Sequence, residues 1–367
     1  MRRRTIAFTA FLVGLLLTAP ASAASPAVGA AGGVAAATSA PDCSLPVTLT
    51  DATGTRVTVD ERPKRIVTLQ PSDAQTAWTI GIQDRVVGLP INQYTAYLDG
   101  REDKTNVKND DLSVNVEKVV ALRPDVVLAA NVTDPQTVRK LRQAGLTVYE
   151  FGLTESLDQI GRNLETVGRL TGSCQAAADA ADEYRQRVAT VRRAAELANE
   201  TPSALYHMRG DYTAGTGTFI DDVLTTAGAT NVAAQAGITG YKPLNREVVA
   251  NRSVDWLVHA RGTTVPHDAP YAQTTAVRRN QTIALNENYL NQPGPRVVVP
   301  LTRLAKRWHP DALARANETV ANVTDTGGST GSDATTTDSA SGFGPGFGAG
   351  VGLTALAIGA LLARRRR

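Results

Sequence analysis

The chain has 367 residues, enough for about two domains once its unusual ends are set aside. Its formal net charge is +3, but seven arginines lie in the two ends, which hold no acid; the remainder carries 31 basic against 35 acidic residues, a balance of −4. A body of that charge has no electrostatic motive for binding nucleic acid.

The chain opens on Met1-Arg2-Arg3-Arg4, then an apolar run from Ile6 to Ala19 and the small residues Ala21-Ser22-Ala23. A basic start, a short apolar core and a small-residue site predict a secretory signal over 1–23, cut near Ala23. No cysteine follows the run closely, so an anchor of the bacterial lipoprotein kind is not expected; Arg3-Arg4 leaves both Sec and twin-arginine export open. Residues 24–42 are Ala, Gly, Ser and Pro with almost no charge, the composition of a flexible leader.

The body opens at Cys43, and short apolar runs then alternate with helical stretches over 43–171. Arg65 to Leu69 predicts a strand, Ala74 to Ile80 a helix ended by Gly81, and Val86 to Leu89 a second strand. Val116 to Leu122 predicts a helix stopped before Pro124, Asp125 to Ala129 a strand buried on both faces, Pro135 to Ala144 a helix, and Leu146 to Tyr149 a strand. That alternation predicts an α/β lobe with a largely parallel sheet. From Ser156 to Ala198 the residues are nearly all helix formers, with a junction at Gly172. Ala176 to Ala198 predicts one helix of about six turns, roughly 34 Å long, acting as a connecting spine over 172–199.

Alternation resumes over 200–317, with strands at Ser203 to Tyr206, Asp255 to Val258 and Gln281 to Leu285, and helices at Phe219 to Ala227 and Arg296 to Trp308. The fold class expected is therefore α/β, as two Rossmann-like lobes with mainly parallel sheets joined by one long α-helix. Residues 318–344 are rich in Thr, Ser, Gly and Asp and hold too little apolar surface to offset ordering entropy, which predicts a stalk. The last segment, 345–367, holds Pro345-Gly346-Phe347, an apolar run of about 17 residues and four arginines. That length is near the lower limit for a membrane span, and the arginines favour the cytoplasmic side, leaving the body outside.

Cys43 and Cys174 are the two cysteines. In an exported chain an even pair suggests a disulfide; two unpaired buried thiols are the alternative. Asn131, Asn199, Asn251, Asn280, Asn317 and Asn322 each match the Asn-x-Ser/Thr sugar-acceptor pattern of exported chains.

Candidate chemistry is sparse. His207, His259, His267 and His309 show no zinc-ligand spacing, so no metal is expected, although His207 ends a predicted strand that can face a cleft; His309, before Pro310, reads as structural. No Gly-x-Ser-x-Gly elbow, P-loop or Ser-x-x-Lys set occurs, and no acid–base pair assembles, so the chain is not expected to be an enzyme or to carry a cofactor. Gly215-Thr216-Gly217-Thr218 reads as a tight turn into the Phe219 helix rather than an anion loop. Tyrosines are better placed: Tyr94, Tyr97, Tyr212 and Tyr241 lie in loops after strands, where α/β sheets bind ligands. Each offers a flat apolar face and a hydroxyl, though singly such a residue is more often packing.

Several stretches resemble one family. Glu117-Lys118-Val119-Val120-Ala121-Leu122-Arg123-Pro124-Asp125-Val126-Val127-Leu128 is similar to a signature of cobalamin- and siderophore-type substrate-binding proteins of ABC importers. Gly215 to Ile220 with Ala227 to Ala233 resembles their second-lobe signature, Val254 to Val258 a buried strand, and Pro293 to Arg296 with His309-Pro310 their C-terminal end. The resemblance spans residues 45–312 and implies two lobes on one helical spine, with a largely pre-formed cleft for a small molecule. It implies a monomeric binding protein that delivers its ligand to a permease and ATPase. Glu117 and Glu247 match the glutamates that meet the permease; helix-dipole complementarity is their simpler role. Pro71, Ser72, Asp73, Tyr94, Tyr97 and Tyr241 match pocket positions, while Lys108 to Leu112 and Asn131 carry no aromatic. Cobalamin or a related corrinoid is the expected ligand. An iron–siderophore, haem, or a surface interaction role without transport are the alternatives. The tail resembles the Pro-Gly-Phe sorting signal of haloarchaeal surface proteins, which implies a C-terminal membrane anchor on the cell's outer face.

Overall fold

The computed structural model describes residues 43–326. The predicted signal, leader and Pro345-Gly346-Phe347 sorting segment lie outside the described residues. These fall into two compact units. One holds residues up to Thr154 with Asp158–Tyr184, and the other holds Glu155–Leu157 with the chain from Arg185 onward.

The first unit starts with an antiparallel hairpin that the sequence reading did not anticipate, β1 (Val47–Thr50) and β2 (Arg56–Val59). Asp51 closes it by accepting from the Thr53 and Thr55 amides, an Asx-type turn. Then come β3 (Ile66–Thr68), α1 (Pro71–Thr79), β4 (Val86–Leu89), β5 (Thr105–Asn106), α2 (Val116–Ala121), β6 (Val126–Ala129), α3 (Pro135–Gln143) and β7 (Val148–Glu150). The five later strands form one parallel sheet in the order β5-β4-β3-β6-β7. Every residue of β3 and β6 is fully buried, as a parallel sheet covered on both faces requires. Val119 of α2 and Val138 and Leu141 of α3 pack with Val67, Val127 and Val148 on one of those faces.

Two helices follow, α4 (Leu157–Thr171) and α5 (Cys174–Glu196). In α4 the buried side chains are Leu157, Ile160, Leu164, Val167 and Leu170, the three-four spacing of one apolar stripe. In α5 the stripe is Cys174, Ala177, Ala181, Tyr184, Val188, Val191 and Ala194, and it runs the whole helix. The boundary between the two units falls inside α5, after Tyr184. Gly168 is required where α4 meets the start of α5: a Cβ there would lie 2.3 Å from the Ala177 Cβ. A disulfide joins Cys43 to Cys174 at the first residue of α5.

The second unit contains β8 (Ser203–His207), β9 (Tyr212–Ala214), α6 (Phe219–Thr226), β10 (Thr230–Asn231), α7 (Val232–Gln235), β11 (Tyr241–Pro243), α8 (Arg246–Ala250) and β12 (Trp256–Ala260). It continues with α9 (Thr275–Arg278), β13 (Thr282–Leu285), α10 (Glu287–Leu290), α11 (Val298–Trp308) and α12 (Pro310–Thr326). Its main sheet is parallel, in the order β10-β8-β12-β13; β9 and β11 form a separate antiparallel ribbon. The fold is α/β with mainly parallel sheets in both units.

Boundaries move in a few places. The first-unit helix α1 begins at Pro71, not Ala74, because proline suits a first helical position. The stalk expected from residue 318 is helical at its start, since α12 continues past Asn317 to Thr326. The short strands β5, β9, β10 and β11 carry too few residues to show an alternation.

Candidate functional site

In the first sheet the chain runs from β3 outward to β4 and β5, then crosses back to β6 and β7. The turn-around lies between the carboxyl ends of β3 and β6, the place where open α/β sheets take ligands. Gln70, Pro71 and Ser72 follow β3 there, and 130–133 follow β6. Pro71 and Ser72 are half-buried, at the first two positions of α1. Asp73 does not face outward. Its Oδ2 accepts from the Gln70 amide (3.1 Å) and the Ala130 amide (3.0 Å), bracing the end of β3 to the end of β6. Burial pushes its carboxyl up to about 7 against those two bonds and the Lys108 charge.

Three side chains distant in sequence join this brace. Lys108 Nζ donates to Gln70 Oε1 at 3.3 Å, and Gln70 Nε2 donates to Thr133 Oγ1 at 3.1 Å. The result is a polar floor along the carboxyl ends from β5 to β6. Sequence reasoning missed Gln70 and Thr133 and noted Lys108 only as a position without an aromatic, because no local pattern marks their bonding. Tyr94 and Tyr97 lie in the loop after β4, both half-buried, and the Tyr97 hydroxyl accepts from Gln75 Nε2 at 2.7 Å. That loop is held from beneath: Thr95 Oγ1 donates to the Pro90 carbonyl, and Trp78 Nε1 to the Asp99 carbonyl.

In the second unit β8 and β12 flank the equivalent turn-around. Tyr212 and Tyr241 stand on the β9–β11 ribbon, in the register pairs Tyr212–Pro243 and Tyr241–Ala214, with both rings exposed. The ribbon leads into Gly215, where a Cβ would lie 1.9 Å from the Ile238 carbonyl oxygen; only glycine permits that approach. Thr218 then caps α6 by accepting from the Asp221 amide, so the Gly-Thr-Gly-Thr stretch is a turn into a helix.

Exposed apolar side chains follow the same geography. Among the described residues the six most exposed large ones are Leu112, Val132, Leu153, Tyr212, Tyr241 and Val299. Leu112 follows β5, Val132 follows β6 and Leu153 follows β7; Tyr212 opens β9, the strand after β8, and Tyr241 opens its partner β11, the strand after α7. Three of the six therefore sit on loops at strand carboxyl ends of the first sheet and two on the ribbon of the second unit, 44–74% exposed. The exposure of Leu112, Val132 and Leu153 went unrecognised in the sequence, since an isolated aliphatic loop residue carries no signal of it.

The chain from residue 66 to 289 matches the family model described as periplasmic binding protein. It is also 38% identical over 335 residues to a cobalamin-binding protein of Halobacterium salinarum, covering 88% of this chain and 89% of that one. The chain belongs to the periplasmic binding protein family. A vitamin B12-binding protein of Vibrio cholerae is 27% identical over 242 residues, 64% of this chain and 85% of that one. Among solved structures, the periplasmic heme-binding protein RhuT of Roseiflexus sp. RS-1 aligns with a TM-score of 0.60 at 27% identity, over 68% of this chain and 99% of that one. The vitamin B12-binding protein BtuF of Vibrio cholerae aligns with a TM-score of 0.58 at 25% identity, over 70% and 98%.

This periplasmic binding protein places its two singled-out glutamates alike. Glu117 is exposed in the first turn of α2, whose Asn115 cap accepts from the Lys118 amide; Glu247 is exposed in the first turn of α8, whose Asn245 cap accepts from its own amide. The histidines lie elsewhere. His309 is buried, with Nε2 at 3.1 Å from the Gly228 carbonyl oxygen beyond the end of α6. His207 is buried at the end of β8 beside Tyr271, and burial pushes its pKa down. Among the described residues no group of three or more His, Cys, Asp or Glu is gathered for a metal ion.

Proposed function

We propose that this chain is the ligand-capturing component of an ABC importer and that its ligand is cobalamin or a related corrinoid. The observation that carries the reading is the set of exposed apolar side chains, Leu112, Val132 and Leu153 on strand-end loops of the first unit and Tyr212 and Tyr241 on the ribbon of the second, together with the buried polar floor at the strand ends of the first unit. Binding sites for large organic ligands have that make-up, apolar walls with a few placed polar groups. The 38% identity to a protein named for cobalamin, over nearly the whole chain, supports the choice of a corrinoid. Pro71, Ser72, Tyr94, Tyr97, Tyr212 and Tyr241 are the proposed contacts, and Asp73 supports them from below. A haem or ferric chelate is the second reading, favoured by the structural likeness to a heme-binding protein.

Calorimetric titration of the full-length chain in detergent with cobalamin, cobinamide, haemin and a ferric siderophore tests both readings. Saturable one-to-one binding of a corrinoid, at least a hundredfold tighter than of haemin, is the expected result. The reverse order would hand the site to haem.

Glu117 and Glu247 are the proposed contacts with the permease. The chain is proposed to work outside the cell, exported by residues 1–23 and held by the apolar run and arginines of residues 345–367. No catalytic step belongs to this proposal.

A further inference from the structure

Lys108 is 7% exposed, a rare setting for an ammonium group, which is seldom buried without a charged partner. It follows β5, yet its Nζ reaches Gln70 at the end of β3. Strands in a sheet lie about 4.8 Å apart, so with β4 between them those ends are roughly 10 Å apart, and the two side chains bridge the gap across the end of β4. The amine therefore lies along the floor, at the sheet end that carries Leu112, Val132 and Leu153. Its bond to Gln70 is long, and among the described residues no carboxylate closes an ion pair on it. Asp73 and Asp111 contribute only a field: the bonding oxygen of Asp73 is taken by two backbone amides, and Oδ1 of Asp111 by the Ser113 amide and hydroxyl. An ammonium has three donors, and Gln70 accepts one.

We infer that Lys108 is a ligand-contacting, specificity-determining residue, donating from the floor to an acceptor oxygen of the bound guest. The inference rests on the corrinoid reading above. On a corrinoid the acceptor is either an amide carbonyl at the ring edge or the phosphodiester of the nucleotide loop. Apolar neighbours that exclude water strengthen such a charged contact, so one lysine can discriminate among guests of similar bulk.

The test is the affinity of full-length wild type, Lys108→Met and Lys108→Gln for cobalamin and for cobinamide, which lacks the nucleotide loop, with a thermal unfolding curve for each variant. A folded Lys108→Met chain should lose at least tenfold in cobalamin affinity, and Lys108→Gln should lose comparably, since glutamine can still brace Gln70 but carries no charge. An equal loss for cobinamide assigns the contact to an amide carbonyl; a loss confined to cobalamin assigns it to the phosphodiester. If either variant folds and binds both corrinoids within twofold of wild type, Lys108 is only a brace and the inference fails. A wild-type chain that binds neither corrinoid overturns the corrinoid reading itself, and the inference falls with it.

Discussion

Asp73 shows how far one side chain's role depends on where a helix begins. With α1 starting at Pro71, Asp73 is the third helical residue, and its carboxyl folds back onto the Gln70 amide. The sequence points to Pro71-Ser72-Asp73 as a unit facing a ligand. The structure keeps Pro71 and Ser72 at the strand end and turns Asp73 inward, a choice set by the Ala130 amide arriving from β6. The folded carboxyl titrates near 7, above the ordinary 3.8. Between those values Asp73 holds more proton in the folded chain than in the unfolded one, so its contribution to stability is fully present below about pH 4 and is lost as pH rises through 7. Asp73→Asn keeps an oxygen for both amides and cannot ionise. From pH 4 to pH 8 the wild type should lose on the order of 2–4 kcal/mol relative to that variant, read from urea unfolding at several pH values. Parallel pH curves for the two proteins would remove this account of Asp73.

The paired helices α2 and α8 repeat one local design. Asn115-Val116-Glu117 and Asn245-Arg246-Glu247 each put an asparagine cap before a first-turn glutamate, which suits the positive end of a helix. That much was legible in the residues, because a cap and its glutamate are near neighbours. A helix-terminal role alone predicts only a small stability effect, a few tenths of a kcal/mol to about 1 kcal/mol for each exposed site. If the two glutamates also meet the permease, reversing both to lysine should abolish corrinoid uptake by whole cells and leave the affinity of the purified protein within twofold. Undiminished uptake would leave the helix-end role alone. Longer elements were equally readable: the buried strand β6 and the long helix α5 announce themselves by composition, an apolar run and a run of helix formers. The β9–β11 ribbon did not, since three residues per strand cannot establish a period and its pairing joins segments far apart in the chain.

Taken over its full length, the chain combines a folded body with two ends that read as export and retention signals. Residues 345–367 supply the proposed anchor, so a chain that stops at residue 344 should appear in the culture medium and bind its ligand as the full-length chain does. Immunoblots of cell and medium fractions would show it, and a truncated chain that stays with the cells would rule the anchor out. Alternation of strand and helix, the long helix near residue 185 and the family likeness all follow from neighbours within a few residues, and a linear reading recovers them. The polar floor does not, for Gln70 meets Lys108 across 38 positions and Thr133 across 63. Sheet order alone brings those three side chains to one edge, because hydrogen-bonded strands place residues by register and not by distance along the chain. Likewise the inward turn of Asp73 and the exposure of Leu112, Val132 and Leu153 were settled by which strand lay beside which.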